Sequence, residues 1–118
     1  MTASNTNKVK KSKSGEQIQR YAPPDMKIPT RLGGGVLKEL VEQESPSGKL
    51  RRYALAYINA AIFAGDNGRV LGYDNAHDYP HRHFMGKITP ERDCTWEEIR
   101  QKFEQEWREI AMQYVNGG

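Results

Sequence analysis

The C-terminal end of the chain carries the signature of one amphipathic helix, and this helix restricts the possible folds more than any other feature. Thr95 followed by Glu98 is a capping box, in which a hydroxyl and a carboxylate bond the free amide groups at a helix start. Beyond it, apolar side chains recur at steps of three or four residues, at Ile99, Phe103, Trp107, Ile110 and Tyr114. Such a stripe must be buried, so we expect it to pack across one face of a sheet.

Three segments ahead of this helix have the character of strands. Residues 50–62 are rich in Tyr, Leu, Ile and Ala, and their side chains alternate between two faces. Asp66-Asn67-Gly68 predicts a hairpin turn, because Asn and Gly tolerate positive φ, and residues 69–75 would form the returning strand. Asp78-Tyr79-Pro80 breaks that strand, and residues 81–88 are interpreted as a third one.

Residues 36–44 fit two structures. Leu37, Leu40 and Val41 have helical spacing, while the apolar pairs at 36–37 and 40–41 also suit a first strand. Either assignment gives the same class of fold. We predict a single small α+β domain over residues 36–118, in which an antiparallel sheet of three to four strands carries one C-terminal amphipathic helix packed across it.

The front of the chain differs in charge from the rest. Residues 1–35 contain seven Lys/Arg and two Asp/Glu, a net charge of +5, whereas residues 36–118 have a net charge of −2. Residues 2–15 include one valine among small and polar residues, too little apolar surface to offset the entropy of ordering the chain. Residues 1–35 are therefore predicted to be a disordered basic tail that ends in a Gly-rich joint.

A small basic cluster lies in this tail. Its lysines would contact RNA, DNA or an acidic partner, or would act only as a solubilising segment. The cluster consists of Lys8, Lys10, Lys11 and Lys13. Because the excess positive charge belongs to the tail, it weakens the case for a basic nucleic-acid-binding surface on the domain itself.

Neither a membrane nor a secretory location is indicated. No run approaches the ~18 apolar residues of a membrane span, and no apolar segment follows the lysine-rich start as it would in a secretory signal. The single cysteine, Cys94, cannot form an internal disulfide. The sequence therefore predicts a cytoplasmic protein with no membrane contact.

All three histidines of the chain lie within residues 73–84. Histidine titrates near neutral pH and is the commonest metal ligand, so this clustering suggests a site. His81 and His83 should share one face of a strand, with Cβ atoms about 7 Å apart, whereas Arg82 should point away. Asp74 ends the neighbouring strand, and a hairpin-like return would bring it close to His81.

One chemistry that suits these residues is RNA cleavage by acid–base catalysis. The 2′-hydroxyl must lose a proton while the departing 5′-oxygen gains one, and two imidazoles can serve as base and acid. Arg82 or Arg69 would stabilise the charge on the phosphoryl oxygens. Asp74 would fix the tautomer of one imidazole. This chemistry requires no metal and no other cofactor.

Two other readings stay open. His77, His81 and His83 would form a ligand set for a divalent metal in a metal-dependent hydrolase, with Asp74 as another possible third ligand. Alternatively, the protein is a non-catalytic nucleic-acid- or protein-binding module in which the basic tail supplies affinity. Asn, Asp, His, Tyr and Pro are also ordinary residues of hairpin loops.

Three segments together resemble the TumE-like family: residues 53–58, residues 69–75, and the triplet His81-Arg82-His83, followed by the terminal helix. Members of this family are small bacterial proteins regarded as toxin components of toxin–antitoxin pairs. The family pattern is a strand that ends in Tyr-Asp-Asn, a short loop, and a His-Arg-His or His-Lys-His triplet. The resemblance covers about residues 49–110.

The resemblance implies that residues 36–118 are a toxin-like domain with a cognate antitoxin, often a small helix-turn-helix protein. The matching positions are Tyr73, Asp74, Asn75, His81, Arg82 and His83. Together with the chemistry above, they give the predicted catalytic residues His81, His83, Asp74 and Arg82. The predicted substrate contacts are Tyr73, Asn75 and Arg69. The predicted function is therefore a metal-independent endoribonuclease toxin; the basic tail is not part of the family pattern.

Overall fold

The computed structural model describes residues 9–11 and 15–117 of the 118-residue chain, which fold into eight strands and one long helix. The strands are β1 (Val9–Lys11), β2 (Gln17–Tyr21), β3 (Met26–Lys27), β4 (Val36–Ser45), β5 (Leu50–Ile58), β6 (Arg69–Asp74), β7 (His81–Phe84) and β8 (Lys87–Pro90). The helix α1 spans Trp96–Val115. Short 3₁₀ turns occupy Thr30–Leu32, Asp66–Gly68 and Ala76–Asp78. Within the described ranges, no helix is long and apolar enough to cross a membrane.

The strands form one antiparallel sheet in the order β1-β2-β4-β5-β6-β7-β8. β3 lies off this path and pairs with Val36 and Leu37 at the start of β4, while β2 pairs with Val41–Ser45 at its end. The two short strands therefore share one edge of β4, and β5 pairs along the other edge. The α+β class is as predicted.

The predicted sheet of three to four strands is wrong, because the sheet contains about twice as many. Residues 17–21 and 26–27, which were assigned to the tail, form β2 and β3. On β2, Ile18 is buried, with 5% of its surface exposed. One buried residue in a polar segment is too little to indicate a strand from composition alone. Residues 81–90 form two short strands rather than one, because Met85 and Gly86 adopt positive φ and turn the chain back. The ambiguous residues 36–44 belong to β4.

The basic cluster is only partly within the described residues. Lys10 and Lys11 lie on β1, which pairs with β2. Lys8 and Lys13 lie outside the described residues. Whether the cluster contacts RNA or a partner therefore stays a prediction.

The hydrophobic core lies between the sheet and α1. The capping box is present, with Thr95 accepting from the Glu98 amide and the Glu98 carboxylate accepting from the Thr95 amide. Ile99, Phe103 and Trp107 are buried as their spacing predicts, and Ala111 completes the stripe. The predicted stripe is wrong at its end, because Ile110 is only partly buried and Tyr114 is exposed. The rings of this stripe meet tyrosines of β5 and β6; Trp107 lies 5.6 Å from Tyr57 between ring centroids. Each such aromatic burial contributes about 1.5–3 kcal/mol, which fixes the helix to this face.

The β6–β7 pairing decides which side chains face away from the helix. Asp74 pairs with His81 and Gly72 pairs with His83, and paired residues in an antiparallel ladder point to the same face. Tyr73, one residue away on β6, points to the helix and contacts Phe103. Asp74, His81 and His83 therefore converge on the face of the sheet opposite α1.

Candidate active site

Asp74 is the centre of a buried polar cluster. As the last residue of β6, it places Oδ1 2.6 Å from Nε2 of His81 and Oδ2 3.0 Å from Nε2 of His83. The two histidines are 5% and 6% exposed, and their ring centroids lie 4.9 Å apart. Oδ1 of Asp74 also accepts the amide of Ala76 at 3.1 Å. One carboxylate therefore contacts both imidazoles and also holds the start of the loop that joins β6 to β7.

His83 is held in its neutral form. Nη2 of Arg69 lies 3.1 Å from Nδ1 of His83, and a guanidinium can only donate. Nδ1 must therefore accept, which leaves the imidazole proton on Nε2, where it is donated to Asp74. Burial and the positive charge of Arg69 lower the pKa of His83 below its ordinary value, outweighing the opposite effect of Asp74.

His81 contacts a different pair of partners. Its Nδ1 lies 3.1 Å from the carbonyl oxygen of Tyr79, which can only accept, so Nδ1 carries a proton. Its Nε2 lies 2.6 Å from Oδ1 of Asp74. His81 is therefore fixed at both ring nitrogens, by a backbone carbonyl and by the carboxylate that it shares with His83.

Arg69 supplies the fixed positive charge of the cluster. Its Nε donates to Asp66 at 2.8 Å, and its Nη1 lies 3.9 Å from Oδ2 of Asp74. The side chain crosses β6 over Gly72, where a Cβ would come within 3.0 Å of the Arg69 Cδ. Neither Gly72 nor Asp66 was identified from the sequence as part of the site. A lone glycine inside a strand does signal close approach of another group, so Gly72 was the available clue.

The pKa of His83 provides a test of this arrangement. We expect the pKa of His83 to lie below 6.5 and to rise when Arg69 is replaced by glutamine, because the substitution removes a cation from Nδ1. The free energy of unfolding that this histidine contributes is present above pH 6.5 and is lost as pH falls through the lowered pKa, because the unfolded chain then binds the proton more readily.

NMR titration of the histidine ring signals measures this pKa directly. The matched control is Arg82→Gln, which removes the same charge from the opposite face and should leave His83 unchanged. An unchanged His83 pKa in Arg69→Gln would show that the Arg69 contact does not govern its protonation.

Two of the predicted site residues face the helix and not the histidines. The Tyr73 hydroxyl donates to Oε1 of Glu106 at 2.6 Å, and Nε of Arg82 donates to the same oxygen at 3.2 Å. Burial, reinforced by Glu106, raises the pKa of Tyr73. The structure thus uses Tyr73 and Arg82 to join β6 and β7 to α1, and it does not bring the Arg82 guanidinium to the histidine cluster.

Asn75 and His77 also lie apart from the cluster. The Asn75 side chain accepts the Tyr53 amide at 2.9 Å and donates to the Arg51 carbonyl at 3.0 Å, so it extends the pairing of β5 beyond the end of β6. His77 is exposed on the loop, with φ of 62°. The predicted metal set of His77, His81 and His83 is therefore not assembled.

Among the described residues, the group that could hold a metal ion is Asp74, His81 and His83, whose ligand atoms lie within 4.8 Å of one another. Two features oppose ligation. The proton of His83 occupies Nε2, the atom that would bind the metal, and a ligand role would require Nδ1–H to face the donor group of Arg69. The Arg69 guanidinium, whose Nη2 lies 3.1 Å from Nδ1 of His83, would also repel a divalent cation bound to this histidine.

Comparison of the chain with protein-family models, with curated proteins and with solved structures gives no match. The resemblance to the TumE-like family therefore stays a prediction.

Proposed function

We propose that the protein is a metal-independent endoribonuclease and the toxin component of a bacterial toxin–antitoxin pair. One observation carries the catalytic half of this proposal. Asp74 holds two buried imidazoles, His81 and His83, with ring centroids 4.9 Å apart. RNA transesterification requires a general base and a general acid; the lowered pKa of His83 suits the base, and His81 would serve as the acid.

The contacts suggest an assignment of roles. Asp74 occupies Nε2 of both rings, so the nitrogens available for proton transfer are the two Nδ1 atoms. When Arg69 turns to a phosphoryl oxygen of the substrate, it releases Nδ1 of His83 to accept the proton of the 2′-hydroxyl. The 2′-oxygen then bonds to phosphorus, the bond to the 5′-oxygen breaks, and His81 protonates that leaving oxygen. The products would be a 2′,3′-cyclic phosphate and a 5′-hydroxyl.

The toxin half of the proposal rests on the sequence resemblance. The residues that carry it are Tyr73-Asp74-Asn75 at the end of β6 and His81-Arg82-His83 in β7. A toxin of this kind would act on RNA in the bacterial cytoplasm and would be neutralised by a cognate antitoxin, often a small helix-turn-helix protein.

A non-catalytic binding module is the second candidate. The observation that favours it is that all four imidazole nitrogens of His81 and His83 have partners within the protein. A network of this kind can also serve only to hold the loop at residues 75–80 in place. In that case RNA would be bound without being cleaved, and the affinity would fall steeply with salt.

Induced expression in a bacterial host separates the two candidates. We expect wild-type protein to arrest growth and fragment total RNA, and His81→Gln and His83→Gln to do neither. His77→Gln is the matched control, since it changes an exposed histidine of the same loop outside the cluster, and it should behave as wild type. Equal protein amounts are verified by immunoblot. Arrest that persists in both cluster variants, or intact RNA in arrested wild-type cells, would contradict the nuclease proposal.

A further inference from the structure

Tyr79 is an exposed aromatic residue attached to the histidine cluster. Its ring centroid lies 5.1 Å from that of His81 at an interplanar angle of 49°, and its carbonyl accepts from Nδ1 of the same histidine. Yet 51% of the residue is exposed. Both the ring and the backbone of Tyr79 therefore contact a residue of the proposed catalytic pair, while about half of the residue remains exposed.

The loop that carries Tyr79 is held in an unusual backbone conformation. His77 and Asp78 have φ of 62° and 70°, in the left-handed region that costs non-glycine residues free energy. The loop is fixed at its start by the Asp74–Ala76 hydrogen bond and at its end by the His81–Tyr79 hydrogen bond. These two hydrogen bonds thus hold the loop in this conformation and fix the position of Tyr79.

A cavity of about 570 Å³ lies beside Tyr79. Its apolar wall is formed by Leu50, Tyr53, Pro80 and Cys94 together with Tyr79. Two cations, Lys49 and Arg51, and two carboxylates, Asp78 and Asp93, also line it, and Arg51 is paired with Glu44 at 3.1 Å, so the lining has no excess of free positive charge. Such a cavity suits a flat neutral group with hydrogen-bonding edges and not a phosphate, whose charge is better met by Arg69.

From these contacts we infer that Tyr79 stacks an unpaired nucleobase next to the scissile phosphate, so that single-stranded RNA is the substrate class. Stacking on Tyr79 needs a free base face, which bases inside a duplex do not offer. The carboxylate of Asp78 lines the cavity and can accept a hydrogen bond from the edge of the base. This inference rests on the proposed function, because the proposed function places the phosphate at His81 and Arg69.

Binding of fluorescently labelled RNA, measured by anisotropy, tests the inference without turnover. The parent is the full chain carrying His83→Gln, and the probes are a single-stranded oligonucleotide and the same sequence as a duplex. Tyr79→Ala should weaken binding of the single strand about tenfold, and Tyr79→Phe should retain it because the ring is kept. The matched control is Tyr114→Ala, which removes a tyrosine of similar exposure from the end of α1.

The outcomes are distinct from those for the proposed function. Unchanged single-strand affinity in Tyr79→Ala, tighter binding of the duplex, or no binding of either probe would overturn the stacking role. Cleavage by wild-type protein together with an unaffected Tyr79→Ala would leave the nuclease proposal in place and remove only this inference. An affinity that depends on Tyr79, without any cleavage, would support the stacking role and remove the nuclease proposal. Thermal unfolding of each variant confirms that the fold is retained.

Discussion

Replacing Asp74 with asparagine should lower the rate of RNA cleavage by about 10⁴-fold, the loss seen when the carboxylate that orients a catalytic imidazole is removed. The reason lies in the number of acceptors. Asp74 presents one carboxylate oxygen to Nε2 of each histidine, whereas an asparagine side chain has one acceptor oxygen and one donor group. One imidazole must then shift its proton to the other ring nitrogen or lose its partner, and the negative charge beside both rings is removed.

The control for this variant is Asp25→Asn, which makes the same change at an exposed aspartate outside the cluster and should cleave nearly as fast as wild type. Cleavage is measured with purified protein and a single-stranded oligonucleotide. Because breaking a buried charge pair also destabilises the protein, urea unfolding is followed in parallel, and rates are compared where both variants are folded. An Asp74→Asn protein that is folded and fully active would rule out the shared carboxylate as the catalytic centre.

The second large effect is expected at Arg69. Arg69→Gln should reduce the cleavage rate by about 10²–10³-fold, the usual cost of removing a group that stabilises developing negative charge. The loss should appear mainly in kcat, because the guanidinium is needed most when the phosphorus carries additional negative charge. Arg82→Gln should change the rate little, since the Arg82 guanidinium pairs with Glu106 on the helix side of the sheet.

The prediction from sequence and the structure differ most clearly in which arginine lies at the histidine cluster. Arg82 is a predicted catalytic residue because a cation would stabilise the charge on the phosphoryl oxygens and because Arg82 matches the triplet of the TumE-like pattern. If Arg82→Gln lost as much activity as Arg69→Gln without loss of stability, the assignment of Arg69 as the phosphate-binding cation would be wrong.

The parts of the fold that follow from local pattern were predictable. The capping box at Thr95 and the buried stripe of Ile99, Phe103 and Trp107 define α1. The strands β2 and β3 were not predictable, because each is short and polar and is stabilised mainly by backbone pairing with β4. Pairing of this kind depends on a distant partner strand and leaves little trace in hydrophobic periodicity.

The candidate site was predictable to a similar degree. Strand alternation alone places His81 and His83 on one face and Arg82 on the other, and the β6–β7 pairing adds Asp74. The reach of Arg69 over Gly72 depends on a side-chain conformation that spacing does not specify. The packing of Tyr79 on His81 likewise depends on two left-handed loop residues, which sequence preferences do not locate.

Analysis of the RNA ends produced by purified protein in the presence of a chelator tests the central claim most directly. Acid–base catalysis by His81 and His83, without a metal, predicts cleavage that the chelator does not affect and products with 2′,3′-cyclic phosphate and 5′-hydroxyl ends. Intact RNA would contradict the claim. So would cleavage that the chelator abolishes and that leaves 5′-phosphate ends, because a metal-activated water would then be the nucleophile.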